Sequence, residues 1–281
     1  MTARNGQPDL SRAGIFEQAE ISRQPPTHRA VPAVTRAIAV LRLLSGSKTP
    51  LGVLAIASQL NIIPSTCLHI LRVLVLEELV SFDPSTKLYA LDAGVLNLAR
   101  SLLRPDSFGN LIQPALDELA DNYPITALAA RILNDEHMIV IATSGAEHVM
   151  RIRVEPGSRF PTFMSATGRC VAAFAHFKPE IVKKRFHSLR WERTPSFQDW
   201  LNEVGQTRRQ GYGIDQGAYV AGLTVVATPI MQQSNVLSHV LVAIGLSEQL
   251  PPPTLKRIIQ ASKALTSRYS HKEQQGWPAN L

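Results

Sequence analysis

Between residues 32 and 91 the hydrophobic period of the chain changes once, and that change confines the fold of its first third. After Pro32, the residues Val34, Ile38, Leu41 and Leu44 recur three or four apart, as one apolar side of a helix that Gly46 and Pro50 end. A second helix fits residues 53–60, with Leu54, Ala55 and Leu60 available for burial. Asn61 follows, a residue that tolerates the left-handed conformation of a tight turn. A third helix opens at Pro64–Ser65, where the N–H that proline lacks would have had no partner. It runs through Leu68, Leu71, Leu74 and Val75. Beyond Glu77–Glu78 the chain reads as extended over residues 80–82 and 87–91, around the turn residues Asp83–Pro84–Ser85–Thr86. Three helices and a β-hairpin in about 60 residues predict a winged helix-turn-helix over residues 31–92.

Charge points the same way. The formal net charge of +7 is a weak pointer to nucleic acid, but residues 21–76 hold no acidic side chain. They hold Arg23, Arg29, Arg36, Arg42, Lys48 and Arg72, together with His28 and His69. The third helix lies inside that interval. With its apolar side inward, Ser65, Thr66, His69 and Arg72 face out. Hydroxyls near a helix N-terminus meet phosphates and base edges, and arginine pairs with phosphate or guanine. Arg36, within the acid-free interval, and Lys87, in the hairpin, complete the candidate DNA contacts.

Residues 1–30 are polar and read as a flexible arm, and residues 93–105 as a linker helix able to pair subunits, with Val95, Leu98, Ala99 and Leu102 along one side. From residue 106 the pattern is that of a second, mixed domain reaching to residue 268. Leu111, Ala115, Leu116 and Leu119 predict an amphipathic helix, and strands fit residues 125–132, 137–142 and 149–154. Helices fit 168–177 and 201–210, with Gly211–Tyr212–Gly213 as a turn. The near-continuous apolar runs 222–229 and 236–246 predict central strands of a sheet. A last helix over 252–267 carries Leu255, Ile258, Ile259, Ser262 and Leu265, and residues 269–281 read as a loose tail.

Several classes are disfavoured. Two cysteines, Cys67 and Cys170, exclude a disulfide-dense scaffold and a four-cysteine metal site. No signal-like segment or apolar run of membrane length is found, so a reducing cytoplasm and no membrane are expected. The eight histidines form no metal or protease spacing, so neither metal nor cofactor is expected. Cys170 reads as a buried thiol rather than a nucleophile, with His176 elsewhere on its helix. A second domain without visible chemistry suggests sensing of a small molecule.

The chain resembles the IclR family of bacterial transcriptional regulators over about residues 31–267. Val31–Pro32–Ala33–Val34–Thr35–Arg36–Ala37–Ile38 is similar to that family's first helix. Leu54–Ala55 with Pro64–Ser65–Thr66–Cys67–Leu68–His69 is similar to its helix-turn-helix. Ser165–Ala166–Thr167–Gly168–Arg169, Gly211–Tyr212–Gly213–Ile214–Asp215 and residues 222–230 resemble its later motifs. The resemblance implies an α+β chain with a GAF-like α/β effector domain, assembly as homodimers or homotetramers, and repression or activation of catabolic genes. It implies binding to palindromic double-stranded promoter DNA, and an effector pocket formed by Phe160, Met164, Ala166, Thr167, Asp215, Val225, Val242 and Ile244. The last three are apolar where acid-sensing members often carry cysteine or serine, which favours an aromatic or otherwise largely apolar organic acid. Two readings stand beside a ligand-responsive regulator that is not an enzyme: an enzyme with an appended nucleic-acid module, and a structural DNA-binding protein.

Overall fold

Prolines and glycines punctuate the first unit. In the computed structural model, which describes residues 31–100, 107–145, 152–231 and 236–270, helix α1 spans Pro32–Gly46 and helix α3 spans Pro64–Leu76, each opened by its proline. Between them lie strand β1 (Leu51–Gly52) and helix α2 (Val53–Gln59). Asn61 turns the chain with φ 50°, and α2 and α3 meet at 113°, within the range of helix-turn-helix pairs. Strands β2 (Val80–Asp83) and β3 (Leu88–Leu91) form the hairpin. A third strand was not expected: β1 pairs with β3, so the wing is a three-stranded antiparallel sheet.

The core of this unit is Val40, Leu44, Ile56, Cys67, Leu71, Leu74, Val80 and Tyr89. It matches the expected inner faces in part. On α1 Leu44 is buried and Leu41 packs on the core as expected, Val40 is buried with them, and Val34 and Ile38 are exposed. On α2 Leu60 packs on the core as expected, but the buried residues are Ile56 and Ala57, whereas Leu54 and Ala55 face out. How deep each position lies depends on the packing partner, which helical spacing does not specify. Helix α4 (Gly94–Ala99) begins the expected linker helix, with Leu96 and Leu98 exposed. The arm at 1–30, the rest of the linker with Leu102, and residues 271–281 of the expected tail lie outside the described residues.

The second unit lies within residues 105–281. It is built on a six-stranded antiparallel sheet in the order β6-β5-β4-β9-β8-β7. The strands are β4 (Thr126–Ile132), β5 (His137–Thr143), β6 (Arg159–Pro161), β7 (Gly213–Gln216), β8 (Leu223–Met231) and β9 (Leu237–Leu246). Helices α5 (Phe108–Asn122) and α9 (Pro252–Ser270) cover one face through Ile112, Leu116, Ile258 and Leu265. Helices α6 (Ser165–Phe174), α7 (Pro179–Ser188) and α8 (Phe197–Gln210) cover the other, with Val171, Phe186 and Trp200 in its core. Helices on both faces explain why β4 and β9 are nearly all apolar.

Several boundaries differ from expectation for local reasons. No strand forms over residues 152–154, and 149–151 lie outside the described residues. The edge of β5 is occupied by residues 157–161 instead: Gly157 donates to the Val140 carbonyl and Val140 to that of Ser158, ahead of β6. Helix α8 starts four residues early because the Ser196 hydroxyl caps it, accepting from the Asp199 N–H at 3.0 Å. Helix α7 was not expected at all. The stretch after Gly211 is not only a turn: Gly211 ends α8 with φ 80° and Gly213 opens β7. Helix α9 runs to Ser270 and buries Tyr269, which shortens the expected tail.

Candidate functional site

The first unit presents one polar side of α3. Pro64 opens the helix, Cys67, Leu71 and Leu74 anchor it, and Ser65, His69 and Arg72 are left exposed on the opposite side, with Thr66 half-buried beside them. Val73 and Leu76 are exposed on that same side. The helix exposes no acidic residue between Pro64 and Leu76, so it can approach a phosphate backbone without repulsion. Arg36 is exposed on α1.

Lys87 sits in the hairpin turn rather than in a strand, with φ 61° and its Nζ 5.9 Å from the centre of the Phe82 ring. The turn is held by Asp83, whose carboxylate accepts from the Ser85 N–H and hydroxyl at 2.8 and 2.7 Å and from the Thr86 hydroxyl at 2.7 Å. Those hydrogen bonds bring the Asp83 carboxyl down to about 2.

The second unit contains a small, partly open cavity between its sheet and the start of α6. Phe160, Met164, Thr167, Asp215, Val225, Val242 and Ile244, seven of the candidate effector residues, lie along its lining. Ala166 does not: it is fully buried, with its carbonyl turned toward Gly213. The strand register arranges the floor. Asp215 on β7 pairs with Val225 on β8, which pairs with Ile244 on β9, while Val242 pairs with Leu128 on β4.

Two glycines allow close backbone approach at the start of α6, one within its entry and one where β7 meets it. A Cβ at Gly168 would stand 1.8 Å from the Phe163 carbonyl oxygen, and one at Gly213 would stand 2.6 Å from that of Ala166. The chain enters α6 through Ser165, which takes up a left-handed backbone with φ 50°. The Ser165 hydroxyl is buried and has no hydrogen-bond partner among the described residues.

Beneath them Arg169, itself buried, donates to Asp215 at 3.0 Å and to Glu203. The other Asp215 oxygen accepts from the backbone N–H groups of Ala218 at 2.9 Å and Tyr219 at 3.4 Å. Asp215 thus reaches the cavity wall with its charge matched by Arg169. Burial pushes the Tyr219 phenol up, so it stays a neutral hydroxyl at the rim of the same space.

The sequence reading missed Ser165, Tyr219, Val220, Leu223 and the floor residues Leu128, Ala130, Met138 and Val140. Alternation along β5 signals Met138 and Val140 as one face, but it does not say that the face borders a cavity. Burial pushes the Cys170 thiol far above its ordinary value, and His176 is exposed. Among the described residues no three His, Cys, Asp or Glu side chains gather as a metal site.

Residues 108–265 match the family profile described as bacterial transcriptional regulator IclR, C-terminal, and residues 33–84 match the IclR helix-turn-helix domain. The chain is 26% identical to the glycerol operon regulatory protein of Streptomyces griseus, over 80% of this chain and 88% of that one. Among solved structures, the regulator of Alicyclobacillus acidocaldarius superposes with a TM-score of 0.72 at 26% identity, over 87% of this chain and all of that one. An IclR homolog from Microbacterium hydrocarbonoxydans, complexed with 4-hydroxybenzoate, shares the fold with a TM-score of 0.66 at 17% identity, over 86% and 99% of the two chains.

Proposed function

The chain belongs to the IclR family of bacterial transcriptional regulators, and from that premise we propose that α3 reads promoter DNA while the cavity beside α6 takes a small organic acid that changes this reading. The family is one of regulators and not of enzymes. In this reading Ser65, Thr66, His69 and Arg72 meet bases and phosphates, and Arg36 and Lys87 meet flanking phosphates. A homodimer or homotetramer places two such helices on a palindromic site. The second unit, an antiparallel sheet sandwiched by helices, is read as GAF-like, and the setting as a reducing cytoplasm in which Cys67 and Cys170 stay free.

The observation that carries the effector reading is the cavity itself. A domain built only to stabilise would close that space, because unfilled apolar volume weakens packing. Here it stays open to solvent and is lined by aliphatic side chains of four strands, with few polar groups at one end. Such a lining suits an aromatic or otherwise largely apolar acid. An effector that binds one DNA-bound arrangement better than another shifts the population between them, and control of catabolic genes by their substrates follows this logic.

The test is binding of the full chain to its own promoter fragments, measured by fluorescence anisotropy with and without a library of small organic acids. A salt-dependent complex shifted by at least one acid is expected. Promoter binding that no acid alters would sink the effector half of the proposal, and no promoter binding at all would sink the other.

A further inference from the structure

Part of the cavity wall is a loop rather than a strand or helix. Tyr219 and Val220 lie on the segment 217–222 that joins β7 to β8, and Leu223 opens β8. Deeper lining residues such as Leu128, Val140 and Val242 are buried. The lining residues that keep some exposure are Phe160 and, within residues 219–225, Tyr219, Val220, Leu223 and Val225, so the mouth opens beside this loop.

Three consecutive residues in the connection between α7 and α8 grip that loop: Trp191, Glu192 and Arg193. Arg193 donates from its backbone N–H to the Ala218 carbonyl at 2.9 Å, from Nε to that of Gly217 at 3.1 Å and from Nη2 to that of Gln216 at 3.0 Å. The Glu192 carboxylate accepts from the Ala221 N–H at 2.7 Å. The Trp191 ring meets the Tyr219 ring edge to face at 5.5 Å, and the Arg169 guanidinium stands 5.9 Å from the centre of the same Trp191 ring. Main-chain groups that water could satisfy thus take their partners from a segment far away in sequence. Glu192 and Arg193 are exposed, so water competes for each bond and the loop can part from them without the core unfolding. Asp215, by contrast, is buried and holds the inner end of the loop through the Ala218 and Tyr219 N–H groups. Gly217 and Gly222, with φ 80° and 76°, bound the loop and give it backbone freedom.

We propose that residues 191–193 are a strap that holds the β7–β8 loop as the outer wall of the cavity, and that a small molecule enters when the loop parts from Glu192 and Arg193. Neither Glu192 nor Arg193 lines the cavity. They are positioning residues, which set how fast the space opens and not what it contacts. That the strap closes the cavity stands on these contacts alone. That it times the arrival and departure of an effector rests on the reading of this cavity as the effector site.

The experiment uses no effector, so its failure and the failure of the effector reading are separate results. Val140→Cys places a thiol on the cavity lining, and Cys170, buried outside that lining, is an internal reference for opening of the whole unit. Val242→Cys, on β9 of the same lining, serves in its place should Val140→Cys not fold. The full chain is labelled with iodoacetamide under native conditions and followed by peptide mass spectrometry. With Glu192→Ala and Arg193→Ala added, the introduced thiol is expected to react at least about tenfold faster while Cys170 is unchanged. Glu192→Gln with Arg193→Lys, which keeps an acceptor for the Ala221 N–H and a cationic donor at 193, is expected to return the rate most of the way to that of the intact strap. An unchanged rate at the introduced thiol, or no restoration by the conservative pair, overturns the proposal. Equal acceleration at Cys170 overturns it as well, since residues 191–193 would then support the whole unit and not the cavity mouth.

Discussion

The Arg169 guanidinium and the Asp215 carboxylate meet at 3.0 Å with side chains 3% and 1% exposed, 46 positions apart in sequence. The pair joins α6 to β7 directly under the cavity's polar end, and Arg169 reaches on to Glu203 of α8, whose side chain is partly in solvent. A buried pair of this kind is weak evidence for stability but strong evidence for fixed geometry. It holds the start of α6 at one height above the sheet.

Breaking that pair from one side leaves a buried charge unmatched. Arg169→Met is expected to lower the unfolding free energy by about 3–5 kcal/mol in urea denaturation. The double variant Arg169→Met/Asp215→Asn is expected to regain a substantial part of that loss, because neither charge then remains buried alone. Additive losses in the double variant would show that the two residues act separately.

Gly168 and Gly205 predict opposite outcomes for one chemical change. Gly168→Ala drives a Cβ to within 1.8 Å of the Phe163 carbonyl, so the entry to α6 must move. Loss of stability exceeding about 2 kcal/mol is expected, together with loss of ligand binding. Gly205, inside α8, has only the far end of Arg209 near its added Cβ, at 3.7 Å. Gly205→Ala is expected to raise stability by about 0.5–1 kcal/mol, read as a higher urea midpoint.

Arg72→Ala tests the reading helix. It is expected to weaken binding to the promoter site by about 10- to 100-fold and to relax preference at one base pair if the contact is to guanine. Lys87→Ala is expected to weaken all duplexes alike and to lower the slope of log affinity against log salt by about one. Neither should change calorimetric ligand binding. An Arg72 variant with unaltered DNA affinity would move the reading surface off α3.

Acid should loosen the hairpin turn in a defined window. The folded Asp83 carboxyl titrates at about 2 because Ser85 and Thr86 donate to its charged form, below its value of about 3.9 in an unfolded chain. Since the folded value is depressed, the stabilisation is present above about 4 and is lost as pH falls toward about 2. Side-chain NMR titration should place the Asp83 midpoint near 2, and Asp83→Asn should remove the effect. A midpoint at the ordinary carboxylate value would mean that the turn is open in solution.

Much of the first unit could be read without coordinates. The Pro64 helix start, the Asn61 turn and the Asp83–Thr86 hairpin are signals within a few residues, set by backbone sterics and local hydrogen bonds that travel with the chain. The outward placement of Ser65, His69 and Arg72 follows from the same helical period. That period alone could not show that Val34 and Ile38 face solvent while Leu44 of the same side is buried beside Val40, since burial depends on what packs against the helix.

The second unit makes the division clearer. Its two longest strands, β8 and β9, were evident as apolar runs, because a strand covered on both faces needs no polar side. The resemblance already pointed to Asp215 and Thr167 as pocket residues. Only the tertiary structure decided that Ala166 turns away, that Asp215 is already matched by Arg169, and that the Ser165 hydroxyl has no partner among the described residues. The physical reason is that a hydroxyl's isolation and a carboxylate's compensation belong to the groups around them. Asp215 is matched by Arg169, 46 positions away, and by the backbone N–H groups of Ala218 and Tyr219, and the sequence spacing of these residues does not encode that meeting.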